Sequence, residues 1–208
     1  KYGLAALTMQ SIAEVSEVST KTLYNLFGSR ELLLLEAASE LLADLEQSDF
    51  VRRSKPGIPR LLAYTAGSMK QFEEMPQYAR VIISILLRAD LDHETAYARL
   101  GPLKRFAHAC LSIATEQREL RAGLDLDALS YLIAANQWGS VLLWEKGLLE
   151  LGQLQTQVSL SHYLTLTPLC ICKRKVSMEA KLNELLSQVA AATPESNQPS
   201  LHELRLVK

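Results

Sequence analysis

The chain has 208 residues, 48% of them hydrophobic and 22% charged, so it has apolar surface enough for a core and is not of the composition that stays unfolded. Its net charge of −1 excludes a global basic field, and any contact with nucleic acid has to come from a local cluster. No apolar run approaches the ~20 residues of a membrane span, and three cysteines (Cys110, Cys170, Cys172) are too few for the disulfide framework of a small secreted domain.

No proline precedes Pro56, and Leu and Ala recur throughout, which predicts an all-α protein. Lys1 to Leu7 reads as a loop. Its residues lack the basic and apolar regions of a signal peptide, so a cytoplasmic location is expected. Thr8 is placed to cap a first short helix, MQSIAEV, with Ile12 and Val15 on one face. Ser16 to Val18 form a turn, and Ser19 caps a second helix, TKTLYNLF, in which Leu23 and Phe27 share a side. Gly28 stands where a helix end favours a left-handed residue, and Ser29 caps a third, longer helix, RELLLLEAASELLADLEQS. The segment RRSKPGIP ends that run. Further helices are predicted from about Arg60 to Glu74, Gln77 to Ala89, His93 to Glu119 with a break near Gly101-Pro102, and Leu126 to Lys146. The last of these carries apolar residues on more than one stripe: Leu129, Leu132, Ile133 and Asn136 neighbour the faces of Val141, Trp144 and Leu148. Two sides of it are therefore expected to be buried. A final stretch, Gln153 to Ala191, is interrupted at Pro168, which has to begin a helix or kink one; a kink is the preferred reading. The tail from residue 193 is polar and expected to be loosely ordered.

Two short capped helices joined by a three-residue turn within Thr8 to Phe27 have the layout of a helix-turn-helix, although helical hairpins of this kind are also ordinary packing units. The residues are more specific. LTMQSIAEVSEVSTKTLYNLFGSRELLL closely resembles the DNA-binding signature of the TetR family, T-[MV]-x-x-I-A-x-x-A-G-V-S-x-x-T-[LIF]-Y-x-[HY]-F-x-[ST]-K-E-x-L. Thr8, Ile12, Ala13, Val18, Ser19, Thr22, Leu23, Tyr24, Phe27, Ser29 and Glu31 fall in register without a gap, with Arg30 for the lysine. Physically, Ile12, Ala13, Val18, Leu23 and Phe27 are expected to form a small core fixing the helix crossing. Ser19, Thr20, Lys21, Thr22, Tyr24 and Asn25 are then expected to face DNA. Lys21 and Asn25 are the candidates for base reading, since Lys can donate to guanine and Asn can pair with adenine. The resemblance implies phosphate contacts for Tyr24 and Arg30.

Two residues depart from the signature. Glu17 replaces the turn glycine, so a left-handed backbone there costs on the order of 1 kcal/mol, and Leu26 replaces a His or Tyr. Charges within residues 1–31 cancel, with Lys1, Lys21 and Arg30 against Glu14, Glu17 and Glu31. The resemblance implies a further helix before Gly3, and a basic helix upstream of Lys1 is expected to supply the electrostatic footprint.

The resemblance further implies a ligand-responsive regulator, a repressor released by a small molecule, that binds a palindromic operator on double-stranded DNA as a homodimer. The expected division is a DNA-binding domain with its connecting helix over residues 1–48, a ligand-binding and dimerisation domain over 49–192, and a tail over 193–208. The last two long helices would pair with their twins, with Leu126 to Lys146 and Leu160 to Val189 as the candidate segments. Candidate pocket residues are Met69, Phe72, Met75, Tyr78, Tyr97, Phe106, His108, Asn136 and Trp138, all of types that also fill cores. An aromatic content of 6% without a cationic cluster favours an apolar or weakly polar ligand. No cofactor is expected. Cys170 and Cys172 would diverge by about 200° on a helix and make a poor shared metal site, and the four histidines show no i, i+4 spacing. An enzyme is the competing class, but the chain has no Gly-rich phosphate loop, no HExxH and no di-iron carboxylate pattern. A helical small-molecule or protein-binding module with a non-functional DNA segment is the third.

Overall fold

The computed structural model describes residues 8–86 and 93–192, and its elements are all helical. The predicted loop over residues 1–7, the end of the helix expected to reach Ala89 and the tail lie outside the described residues. In chain order the helices are α1 (Met9–Val15), α2 (Thr20–Phe27), α3 (Arg30–Gln47), α4 (Asp49–Arg52), α5 (Ile58–Glu74), α6 (Pro76–Leu86), α7 (His93–Glu116), α8 (Leu126–Glu145), α9 (Leu151–Leu166) and α10 (Cys172–Ala192). Their starts follow local chemistry. The side chains of Thr8, Ser19, Ser29, Ser48 and Asp125 each accept a hydrogen bond from a backbone N–H of the first turn. Thr8 and Ser11 complete a reciprocal capping box.

The large core is continuous around α5 and α8. At one end Leu34, Leu35, Met69, Ile83, Val141, Trp144 and Val158 bring together α3, α5, α6, α8 and α9. At the other end Ile58, Leu61, Leu111, Ile133, Leu166 and Met178 join α5, α7, α8, α9 and α10. A separate small core of Met9, Ala13 and Leu23 holds α1 against α2, with Ile12, Phe27 and Leu33 packed on it. Leu33 touches both this core and the large one, so the start of α3 is common to the two.

Four expectations are corrected. First, no break occurs at Gly101-Pro102: α7 runs through Pro102. Leu103, Ala107 and Leu111 beyond it are buried and hold the second half in place despite the missing N–H. Second, Pro168 stops the helix instead of kinking it. Thr167–Leu169 form a 3-10 turn, and the chain then straightens, with the Ile171 N–H donating to the Glu119 carbonyl and the Arg121 N–H to that of Leu169. Cys170 is thereby buried off any helix while Cys172 is exposed. Third, Val15 is 87% and Val18 40% exposed, so neither belongs to the small core; Met9 fills that role. Val15 stands at the α1 end, and Val18 follows a left-handed turn that carries it outward. Fourth, within one chain α8 buries one side and leaves the other open: Leu132 and Leu143 are exposed, as is Leu148 beyond the helix end.

Candidate DNA-reading helix and ligand cavity

Helix α1 ends in a Schellman turn. The Val18 N–H donates to the Ala13 carbonyl at 3.1 Å and the Glu17 N–H to that of Glu14 at 3.4 Å. This geometry requires a left-handed residue, and Glu17 takes it with φ 55°. The following cap uses Ser19: its Oγ accepts from the Thr22 N–H at 3.0 Å and lies 2.8 Å from the Thr22 hydroxyl. Both hydroxyls therefore serve the helix start first. Leu23 points into the small core. Lys21, Tyr24 and Asn25 lie on the open side, exposed, and their side chains make no hydrogen bond or ion pair with described residues. Thr20 is half-buried. Arg30 is also partly buried, its Nη1 4.0 Å from Glu31 Oε1, one position into α3. Leu26 is exposed on α2 as well, an apolar group on the same small helix.

In the body of the molecule, α3, α5, α6, α7 and α8 surround a cavity of about 80 Å³. Its wall is mostly apolar, with Leu35, Leu42, Ile82, Ile83, Leu103 and Val141 among its side chains. Of the sequence-based candidates, Phe72, Met75, Tyr78 and Trp138 line it. The other five lie elsewhere. Met69 is fully buried in the core behind it. Phe106 packs against Tyr64, ring centroids 4.5 Å apart. Tyr97 is exposed and stacks on His93. His108 is half-buried on α7, and Asn136 donates to the Thr165 hydroxyl at 3.2 Å on the α9 side of α8.

Sequence reading missed the polar part of the wall: Ser39, Tyr64, Ser68, Gln71 and Gln137. Gln137 Nε2 donates to Ser68 Oγ at 3.2 Å, and the Ser68 hydroxyl donates to the Thr65 carbonyl at 2.9 Å. Behind this pair, His162 is fully buried. Its Nε2 faces the Ile133 carbonyl at 3.2 Å, which can only accept, so that nitrogen carries the proton and Nδ1 receives the Thr65 hydroxyl at 3.4 Å. Burial pushes the His162 pKa down to about 4, against a smaller opposing effect of the Ile133 bond. Burial, reinforced by the Glu46 carboxylate, pushes the Tyr64 phenol up to about 12. Signals for these residues were weak because a Gln or Ser on a helix reads as a solvated position until the packing partner is known.

Two side chains of the wall also grip α3. The Tyr78 hydroxyl donates to the Leu34 carbonyl at 2.9 Å and Gln71 Nε2 to the Leu41 carbonyl at 3.3 Å. Among the described residues no group of three or more His, Cys, Asp or Glu could hold a metal ion, and no helix is long and apolar enough to cross a membrane.

A capped helix-turn-helix thus stands on an all-helical body that holds a mostly apolar cavity. Solved structures share this fold. The chain is similar to Thermus thermophilus FadR, a TetR-family transcriptional repressor solved in complex with lauroyl-CoA, with TM-score 0.64 and 22% identity over 81% of this chain and 88% of that one. It is similar also to the TetR-family protein CprB from S. coelicolor A3(2), with TM-score 0.59 and 16% identity over 91% and 89% of the two chains. For TylP, a TetR regulator from Streptomyces fradiae, the values are 0.60, 18%, 93% and 84%. The chain thus has the TetR-regulator fold. No family model matches the sequence, nor does any curated protein.

Proposed function

We propose that this chain is a ligand-responsive transcriptional regulator of the TetR type, a repressor that binds a palindromic operator as a homodimer and leaves it when a small molecule fills the cavity. The observation that carries the reading is the placement of α3. It starts after a two-residue link from α2, the helix that carries the exposed Lys21, Tyr24 and Asn25, and its middle passes through the cavity wall, where Leu35, Leu41 and Leu42 belong to it. A ligand that reshapes the wall acts on α3 through Tyr78 and Gln71, and α3 carries the head with it. The switch requires different ligand affinity in the two positions of α3.

In this reading residues 1–48 bind DNA, 49–192 bind ligand and form the dimer, and 193–208 are a tail of a cytoplasmic protein. Lys21 and Asn25 read bases; Ser19, Thr20, Thr22, Tyr24 and Arg30 hold phosphates and register. The break at Pro168 shifts the expected dimer contact to α8 and α9. Leu132, Ala135, Gly139 and Leu143 form an exposed row on α8, at the i, i+3, i+7, i+11 spacing of one face, and Leu164 is exposed on neighbouring α9. Such a face suits a symmetric four-helix contact. Two recognition helices about 34 Å apart then meet successive major grooves.

The test is selection of an operator from random duplexes with the full-length protein, followed by affinity measurement. Lys21→Ala combined with Tyr24→Ala is expected to abolish specific retention, and binding unaffected by the pair would overturn the reading.

A further inference from the structure

Among the described residues, the wall of the cavity contains no Asp, Glu, Lys, Arg or His. An ion placed there would lose its hydration and meet no counter-charge, which excludes a charged group from the buried part of a ligand. Burial favours the neutral form of Tyr64 and so leaves the wall uncharged there as well.

The polar atoms define the rest. The Ser68 hydroxyl gives its single proton to the Thr65 carbonyl, so toward Gln137 it can only accept. That fixes the amide: Nε2 faces Ser68, and Oε1 is left buried without a partner on a side chain 6% exposed. Trp138, the next residue and also part of the wall, has a buried Nε1 with no partner. Among the described residues of the wall, this acceptor and this donor are the buried side-chain atoms without a partner. Buried polar atoms are ordinarily paired, and unlike the other unpaired buried atoms of the described residues these two belong to residues that line the cavity.

We infer that the cavity takes an uncharged, slender, apolar molecule carrying a hydroxyl or N–H that donates to Gln137 Oε1 and an acceptor for Trp138 Nε1, an alcohol being the simplest group that does both. The inference rests on the sensor reading above and names its ligand class. It separates two sources of an aliphatic chain: a free neutral molecule, and the tail of a charged carrier whose head stays outside.

The experiment measures binding to the full-length protein at pH 7.5 by calorimetry and thermal shift, with 1-decanol, methyl nonyl ether, decanoate and decanoyl-coenzyme A as probes. The ether has the same number of heavy atoms as the alcohol and accepts but cannot donate. The alcohol is expected to bind at least tenfold tighter than the ether and than decanoate, and Gln137→Leu is expected to erase the alcohol–ether difference. The wild-type comparison decides the matter even where that variant fails to fold. Equal binding of alcohol and ether, equal binding of decanoate, binding of decanoyl-coenzyme A without decanol, or no binding by any probe overturns the inference. Operator retention is read in the same samples. Alcohol preference without any effect on the operator overturns the sensor reading and leaves the ligand chemistry standing; an operator response to decanoyl-coenzyme A alone does the reverse.

Discussion

Glu17 sits at φ 55° in a turn whose two backbone bonds leave no other conformation open. A side chain pays a steric cost there that glycine avoids, partly offset by the extra freedom glycine has when unfolded. Glu17→Gly is therefore expected to stabilise by about 0.5–1 kcal/mol, a rise in Tm of about 2 °C, and to tighten operator binding by removing a carboxylate near phosphate; thermal unfolding and an operator titration check the two parts. His162 gives a second prediction. Its folded pKa is lowered to about 4 from 6.5, so the folded protein holds it neutral while the unfolded chain takes up a proton. The associated stability is complete above pH 6.5 and is lost as the pH falls toward 4, on the order of 3 kcal/mol in all. Urea unfolding between pH 7.5 and 4.5 should show that slope, and His162→Gln should flatten it. At this scale the sequence was most legible where chemistry is local. Thr8, Ser19, Gly28 and Ser29 act within one turn of themselves, and each does what its position implied. Gln137 and Ser68 bond across 69 positions, and no window of the sequence contains both.

In the proposed switch, α3 is the element that moves. Tyr78→Phe removes its hydroxyl bond to Leu34 while keeping the ring in the wall, at a cost of about 1 kcal/mol. The expected result is an intact fold and unchanged operator contacts, with the ratio of operator affinities with and without saturating 1-decanol reduced about fivefold, the equivalent of that bond. An unchanged ratio in paired titrations would remove Tyr78 from the transmission. The elements also show why proline was read wrongly twice, in opposite directions. Pro102 and Pro168 carry the same local defect. Around Pro102 the helix continues because Leu103, Ala107 and Leu111 are buried beyond it; after Pro168 the backbone finds new partners in Glu119 and Arg121. The outcome depends on what lies beside the proline in space, which periodicity along one segment does not contain. Helix order was legible from caps and apolar spacing, but α4 and the division of the last stretch into α9 and α10 were not, and the lining of the cavity depended on how five helices meet.

At the scale of the whole molecule, the row Leu132, Ala135, Gly139 and Leu143 predicts the assembly. Leu132→Glu with Leu143→Glu is expected to give a folded monomer by analytical ultracentrifugation, with operator affinity reduced at least 100-fold because two half-sites no longer bind as one; a dimer persisting in that variant would place the contact elsewhere. Finally, the two cores differ greatly in size, and among the described residues the smaller has Met9, Ala13 and Leu23 fully sheltered. Ile12, Phe27 and Leu33 pack on these three side chains, and Leu33 ties the small core to the large one. Amides of the head should therefore exchange with deuterium through brief local openings, long before those around Trp144, and slow when an operator duplex is added. On the proposed function, the DNA-reading part is then loosely latched to a firm frame, able to settle into a groove it does not fit beforehand.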